Sequence, residues 1–265
     1  MESVIFEKDD QTFSTICIVE NLSEDLKEII RKQLSSICHG ATIGESGKKS
    51  YSYHNTLREF LKRYDTKSES TKKGMIGELL SHVLFIEFFR EFQIISPFFN
   101  LEERSIKKSF DILLYSSDQK NIYYTEVKSG NAKDEKSDDK NITLLGIAKS
   151  DIQQKLNDNN DNNWLNAING AKISLEKKNI KNEVIEILEN CLEDSQESNL
   201  NSKGKSVILV SVTYNSISDK ITLSRVKDYS TKNAKDFCRC ILFSIQNETY
   251  QSIESFLRAE VANGN

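Results

Sequence analysis

The segment SFDILLYSSDQKNIYYTEVKSG, residues 109–130, limits the fold more than any other part of the chain. Its two strand-like runs, 109–115 and 121–128, are separated only by the turn-forming SSDQK and are expected to pair as an antiparallel hairpin. β-Branched, aliphatic and aromatic residues fill both runs, yet each carries charge: Asp111 in the first, Glu126 and Lys128 in the second. Side chains at i and i+2 of a strand share a face, so Glu126 and Lys128 point one way and Val127 the other. Pairing the runs brings Asp111 beside Glu126. Two carboxylates on adjacent strands make a hard-oxygen site suited to Mg²⁺ or Mn²⁺, with phosphate oxygens and water filling the remaining positions. A lysine two residues from one ligand can orient or help deprotonate an attacking water, or neutralise charge that develops on phosphorus.

A long helix is expected upstream. Residues 72–92, KKGMIGELLSHVLFIEFFREF, are apolar around most of a helical circumference, which marks a core helix, and Pro97 follows as a stop signal. Within it Gly77 permits close approach to a strand. Glu78 interrupts the apolar surface, and a buried carboxylate calls for a metal or another cation nearby. His82 lies one turn on, on the same side, and reads as a helix-face histidine with an ordinary hydrogen-bond partner.

Elsewhere the pattern is that of an α/β protein. Two short β-like runs over 3–19 precede a helix carrying Leu22, Leu26, Ile29, Ile30, Leu34 and Ile37, with Ser23 as its cap and Glu24 and Asp25 at its positive end. A helix is expected over 54–63, where Arg58, Lys62 and Arg63 read as a solvated basic face. After the hairpin, SGNAKDEKSDDKN is expected to be a mobile charged loop, then a helix over 144–156, a polar linker NDNNDNN at 157–163, and a helix-rich stretch over 164–192. Residues 207–214, VILVSVTY, are nearly all apolar, as a strand buried on both faces of a sheet requires. ITLSRV reads as a further strand, CRCILFSI as a strand or a helix, and 248–260 as a closing helix.

Composition excludes little but points one way. A net charge of −4 argues against coating nucleic acid by bulk electrostatics, while leaving room for a local basic groove or a basic partner. No apolar run is long enough to span a bilayer, and MESVIFEKDD has no basic start followed by an apolar stretch. Five cysteines without a paired framework suit a reduced, cytoplasmic setting, and none stands at zinc-ligand spacing from a histidine. Cys238 and Cys240 read as alternating strand positions.

Helix with Glu78, strand with Asp111, strand with Glu126-Val-Lys128, then helix: this order resembles the PD-(D/E)xK nuclease superfamily. More narrowly, GMIGELLSHVLF, SFDILLY and YYTEVKSG resemble the HamA family, nuclease subunits of the Hachiman anti-phage system, over about residues 74–130. The resemblance implies a restriction-endonuclease-like core, a central mixed sheet flanked by helices, spanning 66–265 behind a small N-terminal αβ segment, 1–65. It further implies Mg²⁺- or Mn²⁺-dependent cleavage of DNA and a helicase partner that holds or releases the nuclease. By position Glu78, Asp111 and Glu126 would be the acidic metal-site residues and Lys128 the catalytic lysine. Phe110 stands where the motif has proline. The following helix often adds a polar residue in such nucleases, for which Lys149, Gln153 and Gln154 are the candidates, Gln153 sharing a face with Lys149. The competing expectation is a non-catalytic subunit that binds nucleic acid or a helicase through a structural carboxylate cluster.

Overall fold

Seven strands from the described residues, 3–99 and 109–263, build one mixed sheet in the computed structural model. They are β1 (Val4–Asp9), β2 (Ser14–Val19), β3 (Phe92–Ile94), β4 (Ile112–Ser116), β5 (Asn121–Asn131), β6 (Ser206–Tyr214) and β7 (Arg239–Asn247), in the order β1-β2-β7-β6-β5-β4-β3. The helices are α1 (Glu24–His39), α2 (Ala41–Gly44), α3 (Tyr53–Asp65), α4 (Glu69–Phe88), α5 (Ser137–Asn157), α6 (Asp161–Ser174), α7 (Lys178–Gln196), α8 (Leu223–Asn233) and α9 (Tyr250–Asn263).

The centre of the sheet, β2, β7, β6 and β5, is parallel; β1 adds antiparallel to β2 at one edge, and β4 and then β3 add antiparallel beyond β5 at the other. β6 is the most apolar run and has a parallel neighbour on each side; all nine of its residues are buried. The expected hairpin of β4 and β5 forms, with Ile112 opposite Thr125 and Ser116 opposite Asn121. From β5 the chain crosses through α5, α6 and α7 to β6, then through α8 to β7. Both crossovers move the same way across the sheet, so right-handed connection places their helices on one face.

Strand alternation then sorts the core into two layers. Tyr123, Val127, Ile208, Val210, Phe243 and Ile245 pack with α1, α3, α4 and α9. Tyr124, Val207, Leu209, Cys240 and Leu242 pack with α5, α6, α7 and α8. The N-terminal αβ segment is built into this frame: β2 pairs with β7, and α1, capped by Ser23, belongs to the same layer as α4.

Several boundaries differ from expectation. The charged stretch after β5 is mostly ordered: β5 runs on to Asn131 and α5 begins at Ser137, whose backbone N–H donates to Asp219 at 2.8 Å. Asp138 and Asp139 sit in its first turn, where the helix dipole favours them. NDNNDNN shrinks to a three-residue link, because Trp164, fully buried, anchors α6 immediately beyond it. ITLSRV is a helix start, not a strand: Thr222 precedes α8 and bonds Asp138 through both its N–H and its hydroxyl. CRCILFSI is strand β7, with Cys238 exposed just before it and Cys240 buried within it. The long upstream helix stops at Phe88, and the chain turns at once into edge strand β3. Among the described residues no helix is long and apolar enough to cross a membrane, and all five cysteines are free thiols.

Candidate functional site

Asp111 lies one residue before β4, where the paired register with β5 ends. Its Oδ2 accepts the Val127 N–H at 2.7 Å, so the carboxylate takes over a ladder position that no strand residue fills and is fixed against β5. The residue before it, Phe110, is buried against Tyr124 and Trp164, with ring centroids 5.0 and 5.5 Å away. A large aromatic ring thus anchors the approach to Asp111 at the position where the nuclease motif has proline.

Glu126 and Lys128 project from β5 on the α5 side, two residues apart as a shared face demands. Glu126 is 1% exposed. Lys128 donates to its Oε1 at 2.8 Å and also meets Asp151 of α5 at 2.7 Å. A second ammonium, Lys155 of α5, takes Oε2 at 2.6 Å. Burial raises the Glu126 carboxyl above its ordinary value, helped by the neighbouring Asp111 and opposed by Lys155 and Lys128. For Lys128, burial works downward, but Glu126, Asp151 and Asp111 outweigh it and hold the amine above the ordinary lysine range. The two ends of this pair pull in opposite senses. Glu126 is the more deeply buried partner, whereas Lys128 keeps a 26% exposed side chain, so desolvation weighs more on the carboxylate and raises it despite the two lysines. Lys128 remains a cation at neutral pH in either case.

Helix α5 runs antiparallel to β5, and that direction explains the double clamp. One helical turn from Asp151 to Lys155 rises about 6 Å, and two strand residues from Lys128 back to Glu126 span about 6.6 Å. The two spacings match, so one ion pair sits beside the other. Asn141, a few turns earlier, bonds Ser211 of β6 and fastens α5 over this part of the sheet.

Asp151 and Lys155 were not among the residues expected from the following helix. Lys149 and Gln153 do share a face, as their spacing requires, but that face turns to Asp236: Lys149 meets it at 2.6 Å and Gln153 donates to it. Gln154 is exposed.

Glu78 approaches from the other layer. Its neighbour Gly77 presses on β5 so closely that a Cβ there would lie 2.9 Å from Ser129 Cβ, which is the close helix–strand approach its glycine suggested. Glu78 is 8% exposed, and His82, fully buried, lies one turn away with Nε2 3.9 Å from its Oε1. Asp111, Glu126 and Lys128 are therefore brought together, whereas Glu78 comes from α4, a helix of the other layer. Among the described residues no group of three or more His, Cys, Asp or Glu side chains is assembled as a metal-binding cluster. The pair Asp111 and Glu126 fits the alternative arrangement, in which one or two carboxylates hold Mg²⁺ and phosphate and water supply the rest. Of the basic residues on α3, Arg63 pairs with Glu59 and covers the Phe99 ring, and Lys62 is exposed.

A mixed sheet with helices on both faces, an aspartate at the mouth of a hairpin and a Glu-x-Lys on its second strand, places the chain among α/β proteins of restriction-endonuclease-like architecture. No curated protein and no solved structure gives a significant match. The HamA family model, however, matches residues 3–261, nearly the whole chain, so the protein belongs to the HamA family and is a component of a Hachiman defence system.

Proposed function

We propose that this HamA-family protein is a Mg²⁺-dependent deoxyribonuclease that hydrolyses phosphodiester bonds in DNA and is controlled by a partner helicase subunit. The observation that carries the reading is the convergence of Asp111, Glu126 and Lys128 on one face where β4 begins beside β5. Asp111 and Glu126 are the groups that would hold Mg²⁺ or Mn²⁺, with Glu78 on α4 as a third acid in support. When bound, the cation supplies Lewis-acid stabilisation of the charge that develops on the phosphate. The remaining work falls to the chain itself. Asp111 is held rigid by the Val127 N–H, and rigidity of a charged group placed in advance lowers the reorganisation needed in the reaction. Lys128, braced between Glu126 and Asp151, donates hydrogen bonds: it can orient an attacking water through its lone pair and neutralise a non-bridging phosphate oxygen.

The test is degradation of supercoiled plasmid with Mg²⁺, by the protein alone and with its helicase partner. Glu126→Gln and Lys128→Ala are expected to lower the rate at least about a hundredfold, the scale on which a transition-state donor acts. Degradation that persists in Asp111→Ala and Lys128→Ala would sink the proposal. One observation favours a second reading, a non-catalytic subunit: both Glu126 oxygens are already engaged by lysines within the chain. On that reading Glu126→Gln leaves Mn²⁺ affinity unchanged.

A further inference from the structure

The Lys155 contact asks more of the site than a nuclease motif requires. Each oxygen of Glu126 carries an ammonium, and the carboxylate is almost wholly enclosed. The two lysines are not equivalent. Lys128 stands on the same strand as Glu126 and has a second anchor in Asp151. Lys155 has its ion pair with Glu126 alone among the described residues, and its side chain, 27% exposed, reaches the site along a flexible stem from α5. A dication that takes an oxygen from Glu126 repels both ammonium groups at contact range. Lys128 can fall back on Asp151, whereas Lys155 loses the one counter-ion it has among the described residues and must find another anion or swing into water.

Resting on the assignment of Asp111 and Glu126 as the metal ligands, we infer that Lys155 gates the metal site: it neutralises Glu126 in the free protein and passes to a phosphate of the bound polynucleotide when Glu126 turns to the cation. Metal binding and polyanion binding are then linked, and linkage is reciprocal: each raises the affinity for the other by the same factor. The arrangement keeps a buried carboxylate paired at every stage, and it keeps the cation site weak until nucleic acid is present.

The experiment titrates Mn²⁺ into the full chain by electron paramagnetic resonance. It does so without DNA, with an uncleavable phosphorothioate duplex, and with an uncharged methylphosphonate analogue of the same sequence. Wild type is expected to bind Mn²⁺ about tenfold tighter with the phosphorothioate duplex, within the usual range of coupling between sites, and to gain nothing from the uncharged analogue. Lys155→Met, which keeps the stem and removes the charge, is expected to bind Mn²⁺ about tenfold tighter without DNA and to lose most of the coupling. Lys155→Arg guards against a variant that fails to fold: its forked guanidinium grips a carboxylate more firmly, so Mn²⁺ binding without DNA is expected to weaken. Folded Lys155→Met with unchanged or weaker Mn²⁺ affinity, or coupling undiminished by the substitution, overturns the gate while the metal site stands. Absence of Mn²⁺ binding in every protein and every condition overturns the metal assignment and the gate together.

Discussion

Glu126→Gln separates a carboxylate kept for function from one kept for stability. In the folded protein the side chain accepts two charge-assisted hydrogen bonds, from Lys128 at 2.8 Å and Lys155 at 2.6 Å, while enclosed to 1% exposure beside Asp111. Each such bond contributes about 1.5–3 kcal/mol, and burying an ion costs several kcal/mol even after relaxation. Glutamine removes the buried charge, keeps one acceptor oxygen, and leaves no stranded ammonium, because Lys128 still has Asp151 and Lys155 can extend to water. The opposing contributions nearly cancel, and the expected change in unfolding free energy is within about 1 kcal/mol of zero. A structural ion pair broken on one side would instead lose about 3–5 kcal/mol. Urea unfolding at neutral pH, with midpoints compared at constant m-value, measures the difference. The pH dependence carries an independent sign. Because the Glu126 carboxyl is raised in the folded state, folding favours its protonated form. Its contribution is complete below the ordinary glutamate value and is lost as pH climbs through the raised one. Wild type should therefore lose stability relative to Glu126→Gln across that interval and run parallel to it above. A loss of 3 kcal/mol or more in the variant, or a relative gain by wild type as pH rises, would refute the reasoning and favour the structural cluster.

Two further substitutions test the frame around the site. Gly77→Ala places a Cβ 2.9 Å from Ser129 Cβ and 3.2 Å from its Oγ. Overpacking of this kind costs about 1–3 kcal/mol, of which helix propensity returns about 1 kcal/mol. A net loss is expected that Ser129→Gly in the same chain partly relieves, and strictly additive urea midpoints for the two changes would show that the residues do not touch. Phe110→Ala removes a ring packed on Tyr124 and Trp164 and is expected to cost about 3–5 kcal/mol. It should also shift Trp164 fluorescence to longer wavelength, and an unchanged spectrum would place Phe110 elsewhere.

Much of the central sheet was legible because its strands obey simple rules. β6 reads as buried on both faces since a parallel neighbour lies on each side and helices cover both surfaces. The β4–β5 hairpin reads directly from two strand-like runs and a short polar turn. Where expectation failed, the competing influence was tertiary. ITLSRV has the composition of a strand, but Asp138 on α5 binds Thr222 and starts a helix there. SGNAKDEKSDDKN is too charged to read as ordered, yet its second half forms the first turn of α5, with its acids at the positive end of the helix dipole and Asp219 holding the Ser137 N–H.

The site divides along the same line. Glu126 and Lys128 lie on one strand, so their common face follows from a period of two and no long-range information is needed. Asp111 required only the hairpin. The residues of α5 required knowing how that helix is rotated, and here sequence spacing is symmetric. Ala148, Ile152 and Leu156 form the buried stripe; Lys149 and Gln153 lie on one shoulder of it, Asp151 and Lys155 on the other. Both shoulders carry polar residues one turn apart, and each pair has chemistry a nuclease could use. Direction breaks the symmetry: α5 leaves the end of β5 and returns antiparallel to it toward β6, which turns the Asp151 shoulder to the hairpin and the Lys149 shoulder toward Asp236, between α8 and β7. Composition alone cannot select between them, because the deciding quantity is the order of strands in the sheet. The consequence for chemistry is direct. The shoulder that faces the site adds a cation against Glu126 and an anion against Lys128, so the two strand residues are each paired twice, and any cation that binds Glu126 must contend with Lys155 first.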